Sequence, residues 1–214
     1  MELYSVRTLR TDEEKILAKR LLYEVYVKEQ GWIPPVGNPS NFKIEASLSG
    51  NILVDDYDSV STQFGGFYGE NLIAVLRVIP RLNRRLEVEN YTQLPLFLQK
   101  DCHHEFNRLA IDINFRNSPI FSLIMAAAIR YMIGCRYKYV ISSAPFPEPG
   151  NLYCKVGATR INYPEFKYYL LDQNIVSLIV FLLEQKENFK RLFAVVDKLK
   201  QKGKVKLIGD ELDW

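Results

Sequence analysis

The stretch HEFNRLAIDINFRNSPIFSLIMAAAIRYMIGC, His104 to Cys135, governs how the rest of the chain reads. Residues 106–113 form an apolar run of strand length, and Asn114 to Ser118 are small or polar. From Pro119, a residue favoured in a first helical turn, the sequence continues as an apolar helix to the cysteine. Strand, polar turn and buried helix are the parts of an α/β layer. Yet Glu105 opens the strand, and Arg108 and Asp112 lie within it. A core strand gains nothing from ionisable groups unless they are paired or used.

Upstream, residues 2–9 read as a strand. TDEE at 11–14 has the form of a capping box. Ile16, Leu17, Leu21, Leu22 and Val25 then give a helical stripe that runs to about Gln30. GWIPPVGNPSN ends that helix, and residues 31–60 read as one long connection. STQFGGFY and LIAVLRVIPR, joined by GEN, form a hairpin, followed by a looser segment with a short helix near 94–100.

Downstream, KYVISSA is a strand, PEPGNLYCKVGATRI a short helix and a strand, and EFKYYLLD a last strand. Ile175, Leu178, Ile179, Leu182, Phe189, Leu192, Phe193, Val196 and Leu199 recur at steps of three and four. This spacing predicts one or two amphipathic helices. The expected organisation is an α/β domain over 1–172, with a helical appendix over 173–214 packed on it. The hairpin argues against an all-parallel sheet and for a mixed, twisted sheet with helices on both faces.

The 214 residues supply one full core without requiring two domains. A net charge of +3 argues against a polyanion binder. Residues 184–206 hold eight Lys/Arg against three acidic residues, but they lack the interleaved exposed aromatics of a nucleic-acid surface. The longest apolar run, IVSLIVFLL at 175–183, is far short of the ~20 residues of a membrane span. MELYSVRTLR has no signal-peptide core, and Cys102, Cys135 and Cys154 lack CxxC spacing. The expectation is a cytoplasmic protein with reduced thiols. The two histidines, His103 and His104, are adjacent and project apart, so a shared metal is not expected.

Four features stand out as possible chemistry. Asp55 and Asp58 in DDYD can hold a cation, a protonated amine or an arginine, or form a solvated turn. Arg77 interrupts an apolar strand and is either an outward edge residue or a buried guanidinium awaiting an anion. Glu105 and Arg108 would face opposite sides of a regular strand, so they can cooperate only across a bulge. NFRNSP before the long helix is a weak phosphate-binding turn or an ordinary cap by Asn117 or Ser118.

In order along the chain, Trp32, the DxxD of Asp55 and Asp58, Arg77 in RVIP, and the ExxR of Glu105 and Arg108 form a pattern. It resembles the GNAT-type N-acyltransferases, in the branch of acyl-homoserine lactone (autoinducer) synthases and long-chain N-acyl amino acid synthases. The likeness spans about residues 15 to 170. It departs where Leu22 replaces an arginine and Asn107 a serine, and the gap from Trp32 to Asp55 is longer. Those positions belong to recognition of S-adenosylmethionine, which favours an amino acid or another amine as acceptor. RNSPIFS also lacks the glycines of the acetyl-CoA-binding turn.

The resemblance implies a GNAT fold and transfer of a long-chain acyl group from a thioester to an amine. Glu105, Arg108 and Arg77 would be catalytic, with Glu105 the base. Trp32, Asp55, Asp58 and the backbone of Leu109, Ala110 and Ile111 would bind substrate, the backbone meeting the thioester oxygen. Asn114, Arg116, Asn117, Ser118 and Ser122 would lie against phosphopantetheine. The co-substrate would be an acyl-phosphopantetheine thioester, on acyl carrier protein or CoA, with no permanently bound cofactor and no metal. An acidic carrier protein would be steered by Arg81, Arg84, Arg85 and the lysines of 186–206. Other readings are an S-adenosylmethionine-dependent autoinducer synthase, an acetyl-CoA-dependent acetyltransferase, and a non-catalytic lipid- or peptide-binding module.

Overall fold

The computed structural model describes residues 3–82, 85–169 and 174–207. Glu2, Arg84 and residues 170–172 of EFKYYLLD lie outside the described residues, as do the side chains of Cys102, His103 and Lys206. Strands β1 (Tyr4–Thr8), β4 (Thr62–Tyr68), β5 (Asn71–Pro80), β6 (Cys102–Ile111), β7 (Tyr139–Pro145), β8 (Thr159–Arg160), β9 (Val176–Leu182) and β10 (Val205–Leu207) form one sheet. Its order is β10-β1-β4-β5-β6-β7-β9-β8. Only the β1–β10 and β6–β7 neighbours run parallel. The expected mixed sheet is therefore present.

Helix α1 (Asp12–Leu22) begins with the capping box, Thr11 and Glu14 each bonding the other's backbone. It covers one face of the sheet, where Ala18 and Leu22 pack with Val75 and Ala110. The helix expected to reach Gln30 stops being α-helical at Leu22 and continues as a π-helical segment over Tyr23–Glu29. Helices α3 (Ile120–Gly134) and α5 (Lys190–Gln201) cover the other face, where α3 packs on Phe64, Leu76, Val78 and Phe106. Nine α3 side chains are buried, and each Leu, Ile or Met among them contributes about 1.5–3 kcal/mol of burial. Helices α2 (Leu96–Asp101) and α4 (Gly150–Lys155) are single short turns.

Three expectations fail, each for a physical reason. Within residues 31–60, Lys43–Ser47 (β2) and Gly50–Val54 (β3) pair as a separate hairpin, closed by Ser47 opposite Gly50. The Gly and Pro ahead of it hid a short two-strand unit. IVSLIVFLL is a strand, not a helix. Its β-branched residues suit a pleated surface, and β9 lies between β7 and β8 with six of its seven residues buried. A continuous apolar run carries no period that separates buried strand from buried helix. The appendix is therefore helical only from Lys190 (after a 3-10 turn at Lys186–Phe189), and a boundary at 172 cuts the sheet. In EFKYYLLD, only Phe166 forms a bridge, with Val176, and no strand is present over 165–169.

Candidate active site

Strand β6 carries the bulge that its charges required. β5 and β6 pair Arg77 with Asn107 and Val75 with Ala110, so two residues, Arg108 and Leu109, stand opposite Leu76. Arg108 has φ +52°, a left-handed conformation that costs a non-glycine residue about 1–2 kcal/mol. The extra residue breaks the two-residue alternation. Asn107 and Arg108 can then both reach the carboxylate of Glu87.

Arg77 is 3% exposed and fully engaged. Its Nη1 donates to Asp55 Oδ1 at 2.7 Å and Asp58 Oδ1 at 2.8 Å, and its Nη2 to Asp55 Oδ2 at 2.6 Å. Its Nε donates to Asn107 Oδ1 at 3.0 Å. Arg108 Nη2 donates to the same Asp55 Oδ2 at 3.1 Å and to Glu87 Oε1. Its guanidinium lies 4.1 Å from the centre of the Phe42 ring, and its buried Nε has no hydrogen-bond partner. Lys19 of α1 completes the group through Asp58 at 3.0 Å. Of the two readings of Arg77, the buried guanidinium is the one present. Burial would raise the Asp55 carboxyl, but Arg77 and Arg108 outweigh it and hold Asp55 down at about 2.

Glu105 lies on the same face of β6 and is 1% exposed. Its Oε2 accepts the Val88 N–H at 3.0 Å. Burial first, and the Glu87 carboxylate second, push its carboxyl up to about 8. Beside it, β6 and the parallel β7 pair at Cys102–Tyr139 and Glu105–Ile141. Among the described residues no further pair joins these two strands. Tyr168, whose hydroxyl is 2.6 Å from that of Ser143 on β7, is held protonated by burial and by the nearby Glu105 and Glu87.

An aromatic wall adjoins the charged group. Trp32 packs on Phe42 and Tyr169, with ring centres at 5.1 and 5.5 Å, and on Tyr26 at 6.0 Å. Tyr91 meets Tyr168 at 4.8 Å. A recess of about 520 Å³ is lined by Tyr91, Phe166, Tyr168, Tyr169 and Ile175, together with the polar Asn90, Glu165 and Lys167. Tyr91 follows directly on the segment that carries Glu87.

The side chains of the other expected residues lie apart from this group. Tyr26 donates its hydroxyl to the Leu109 carbonyl at 3.1 Å. Ala110 packs under α1, and Ile111 belongs to the α3 side. Asn114 bonds Asp112, and Ser118 accepts the Ile120 N–H at 3.3 Å, although the N-cap of α3 is Pro119, which makes no side-chain cap bond. Asn117 is exposed and Ser122 is half-buried on α3. Arg116 clasps Glu29 through both terminal nitrogens, each at 2.6 Å. Arg81 is turned onto Glu89 and the Gln99 carbonyl.

Sequence reasoning missed Glu87, which is 1% exposed and central to the charge group. The available signal was its place between the apolar Leu86 and Val88. Phe42, Lys19, Tyr91 and Tyr168 gave no local signal at all.

No family model matches the chain, and no curated protein matches it in sequence. Its architecture is nonetheless that of the GNAT-type acyltransferases. The chain is similar in structure to FeeM, an N-acyl amino acid synthase from uncultured soil microbes. The TM-score is 0.64 at 16% identity, covering 91% of this chain and 99% of that one. It is also similar to BjaI, a CoA-dependent acyl-homoserine lactone synthase, at TM-score 0.64 and 14% identity, covering 100% of this chain and 96% of that one. An acetyltransferase of the GNAT family from Streptococcus pneumoniae gives a TM-score of 0.54 at 12% identity, covering 84% and 98%.

Proposed function

We propose that this protein is an N-acyltransferase that moves a long-chain acyl group from a phosphopantetheine thioester, on acyl carrier protein or CoA, to the amine of an amino acid or related small amine. The observation that carries this reading is the bulge at Arg108. It gathers two guanidinium groups and three carboxylates onto one sheet face, beside Glu105 and the unpaired stretch between β6 and β7. The reaction class is our reading, and the fold shared with acyltransferases supports it.

The steps use the chain's own groups. The acceptor ammonium must lose a proton before it attacks, and Glu105, directly or through water, takes it. The new N–C bond forms as the thioester carbonyl becomes an oxyanion, which backbone N–H groups of 109–111 stabilise. The C–S bond then breaks, the second amine proton leaves the nitrogen, and the thiolate is protonated. The products are an amide and a free thiol. Arg77 and Arg108, paired with Asp55, Asp58 and Glu87, keep the site's carboxylates in place. The aromatic wall around Trp32 excludes water.

The test is to incubate the purified full chain with acetyl-CoA, long-chain acyl-CoA and long-chain acyl carrier protein. Each donor is paired with amino acids and with S-adenosylmethionine, and products are read by mass spectrometry. An N-acyl amino acid formed with one equivalent of released thiol is expected. Product only from acetyl-CoA, or only with S-adenosylmethionine, selects one of the other enzymatic readings. No product from any pair overturns the transferase.

A further inference from the structure

Glu87 lies in a 3-10 turn, Glu87–Asn90, between β5 and α2. It is 1% exposed, and an ionised carboxylate at such depth is costly unless paired. Glu87 Oε1 accepts from Arg108 Nη2, and Oε2 accepts from Asn107 Nδ2 at 2.7 Å and lies 4.0 Å from Arg77. The amide of the next residue, Val88, donates to Glu105 Oε2. One short turn thus supplies both the carboxylate that fixes Asn107 and Arg108 and the amide that fixes Glu105. The turn is itself held, since Leu86 and Val88 pack with Ile141, Leu178 and Val180 in a third apolar cluster.

We propose that Glu87 is the positioning residue that tunes Glu105 as the proton acceptor of the transfer reaction, an inference that rests on the acyltransferase reading. The charges show why a second acid is needed. Arg77, Arg108 and Lys19 already balance Asp55, Asp58 and Glu87. An ionised Glu105 therefore adds an uncompensated negative charge to a buried site. Without Glu87, Arg108 is left short of one carboxylate and becomes a partner for Glu105, which then ionises readily and is a weak base. The groups facing Glu105 are Glu87 from the turn, Arg77 from β5, Arg108 from β6, Tyr57 from the turn after β3, and Tyr168 from the segment after β8. Among them Glu87 is the carboxylate, and both tyrosines are held protonated by burial.

The test follows the Glu105 carboxyl directly, by carbon-13 NMR of glutamate-labelled full chain titrated from pH 5 to 10. The signal missing in Glu105→Gln assigns the group. In Glu87→Gln its midpoint is expected to fall by about one pH unit or more. The acid limb of the pH–kcat/KM profile for acyl transfer should move the same way. An unmoved midpoint overturns the inference, whatever the activity. Should Glu87→Gln not fold, Asn107→Ser removes a donor from Glu87 and leaves its charge less compensated. The Glu105 midpoint should then rise, and a fall or no change overturns the inference. A shifted midpoint in a protein that transfers no acyl group overturns the acyltransferase reading instead and leaves the coupling between the two acids in place.

Discussion

Arg108 donates to Asp55 at 3.1 Å across 53 residues of chain. It does so from a left-handed backbone position. The hairpin that ends at Val54 delivers the aspartate, and the bulge in β6 delivers the arginine. Neither side chain would reach the other from regular secondary structure. Local backbone strain is thus offset by a buried ionic network, an arrangement found where geometry matters to function.

The network should be fragile to the loss of either sign. Arg77→Met leaves Asp55 buried beside a single guanidinium and strands Asp58 with Lys19 alone. Breaking a buried pair in this way typically costs about 3–5 kcal/mol. A urea melt should show a loss of that size, and a change under 1 kcal/mol would mean that the pairs contribute little.

Glu105→Gln should lower turnover by roughly 10²–10⁴, with the circular dichroism spectrum unchanged and no loss of melting temperature. Turnover within a factor of three of the parent would remove Glu105 from the base role.

Stability should depend on pH in two opposite senses. Asp55 titrates at about 2 in the folded chain and near 4 when unfolded. Its contribution, roughly 2–3 kcal/mol, is complete above about pH 4 and disappears as pH falls toward 2. Glu105 is raised, to about 8. Its contribution is complete below about pH 4 and is lost as pH rises through 8. Denaturant melts at several pH values should therefore show a decline between about pH 4 and 8 that is reduced in Glu105→Gln. An identical decline in both proteins would contradict the assignment.

Arg116 is held by Glu29 on the surface, the two side chains being 39% and 29% exposed. Such a pair is worth under about 1 kcal/mol, so under the proposed function a donor phosphate should displace the glutamate. Glu29→Gln should lower KM for the thioester donor several-fold, and Arg116→Gln should raise it, with kcat little changed in both. If neither variant alters donor KM, the donor phosphate binds elsewhere.

How much of this was legible varies with the residue. Asp55, Arg77, Glu105 and Arg108 stood out because charges within or beside apolar strands need partners, and the bulge follows from asking how two of them share a face. Glu87 did not stand out, because a charged residue in a segment rich in Arg and Glu looks solvated until the fold buries it. Residues 175–183 misled because an unbroken apolar run satisfies helix and strand templates together. The β2–β3 hairpin was hidden behind Pro and Gly that punctuate only its approach. The order of the large elements survived these errors because short connections leave few topologies for a hairpin, a long buried helix and a mixed sheet.

The placement of β9 also bears on when the site can assemble during synthesis. Residues 176–182 close the free edge of β7 and bring Leu178 and Val180 against the turn that holds Glu87 and Val88. A nascent chain released before that segment has left the ribosome carries every charged group of the site but not the wall behind them. Competence should therefore arrive late and all at once, and chains ending near residue 170 should be inactive rather than partly active.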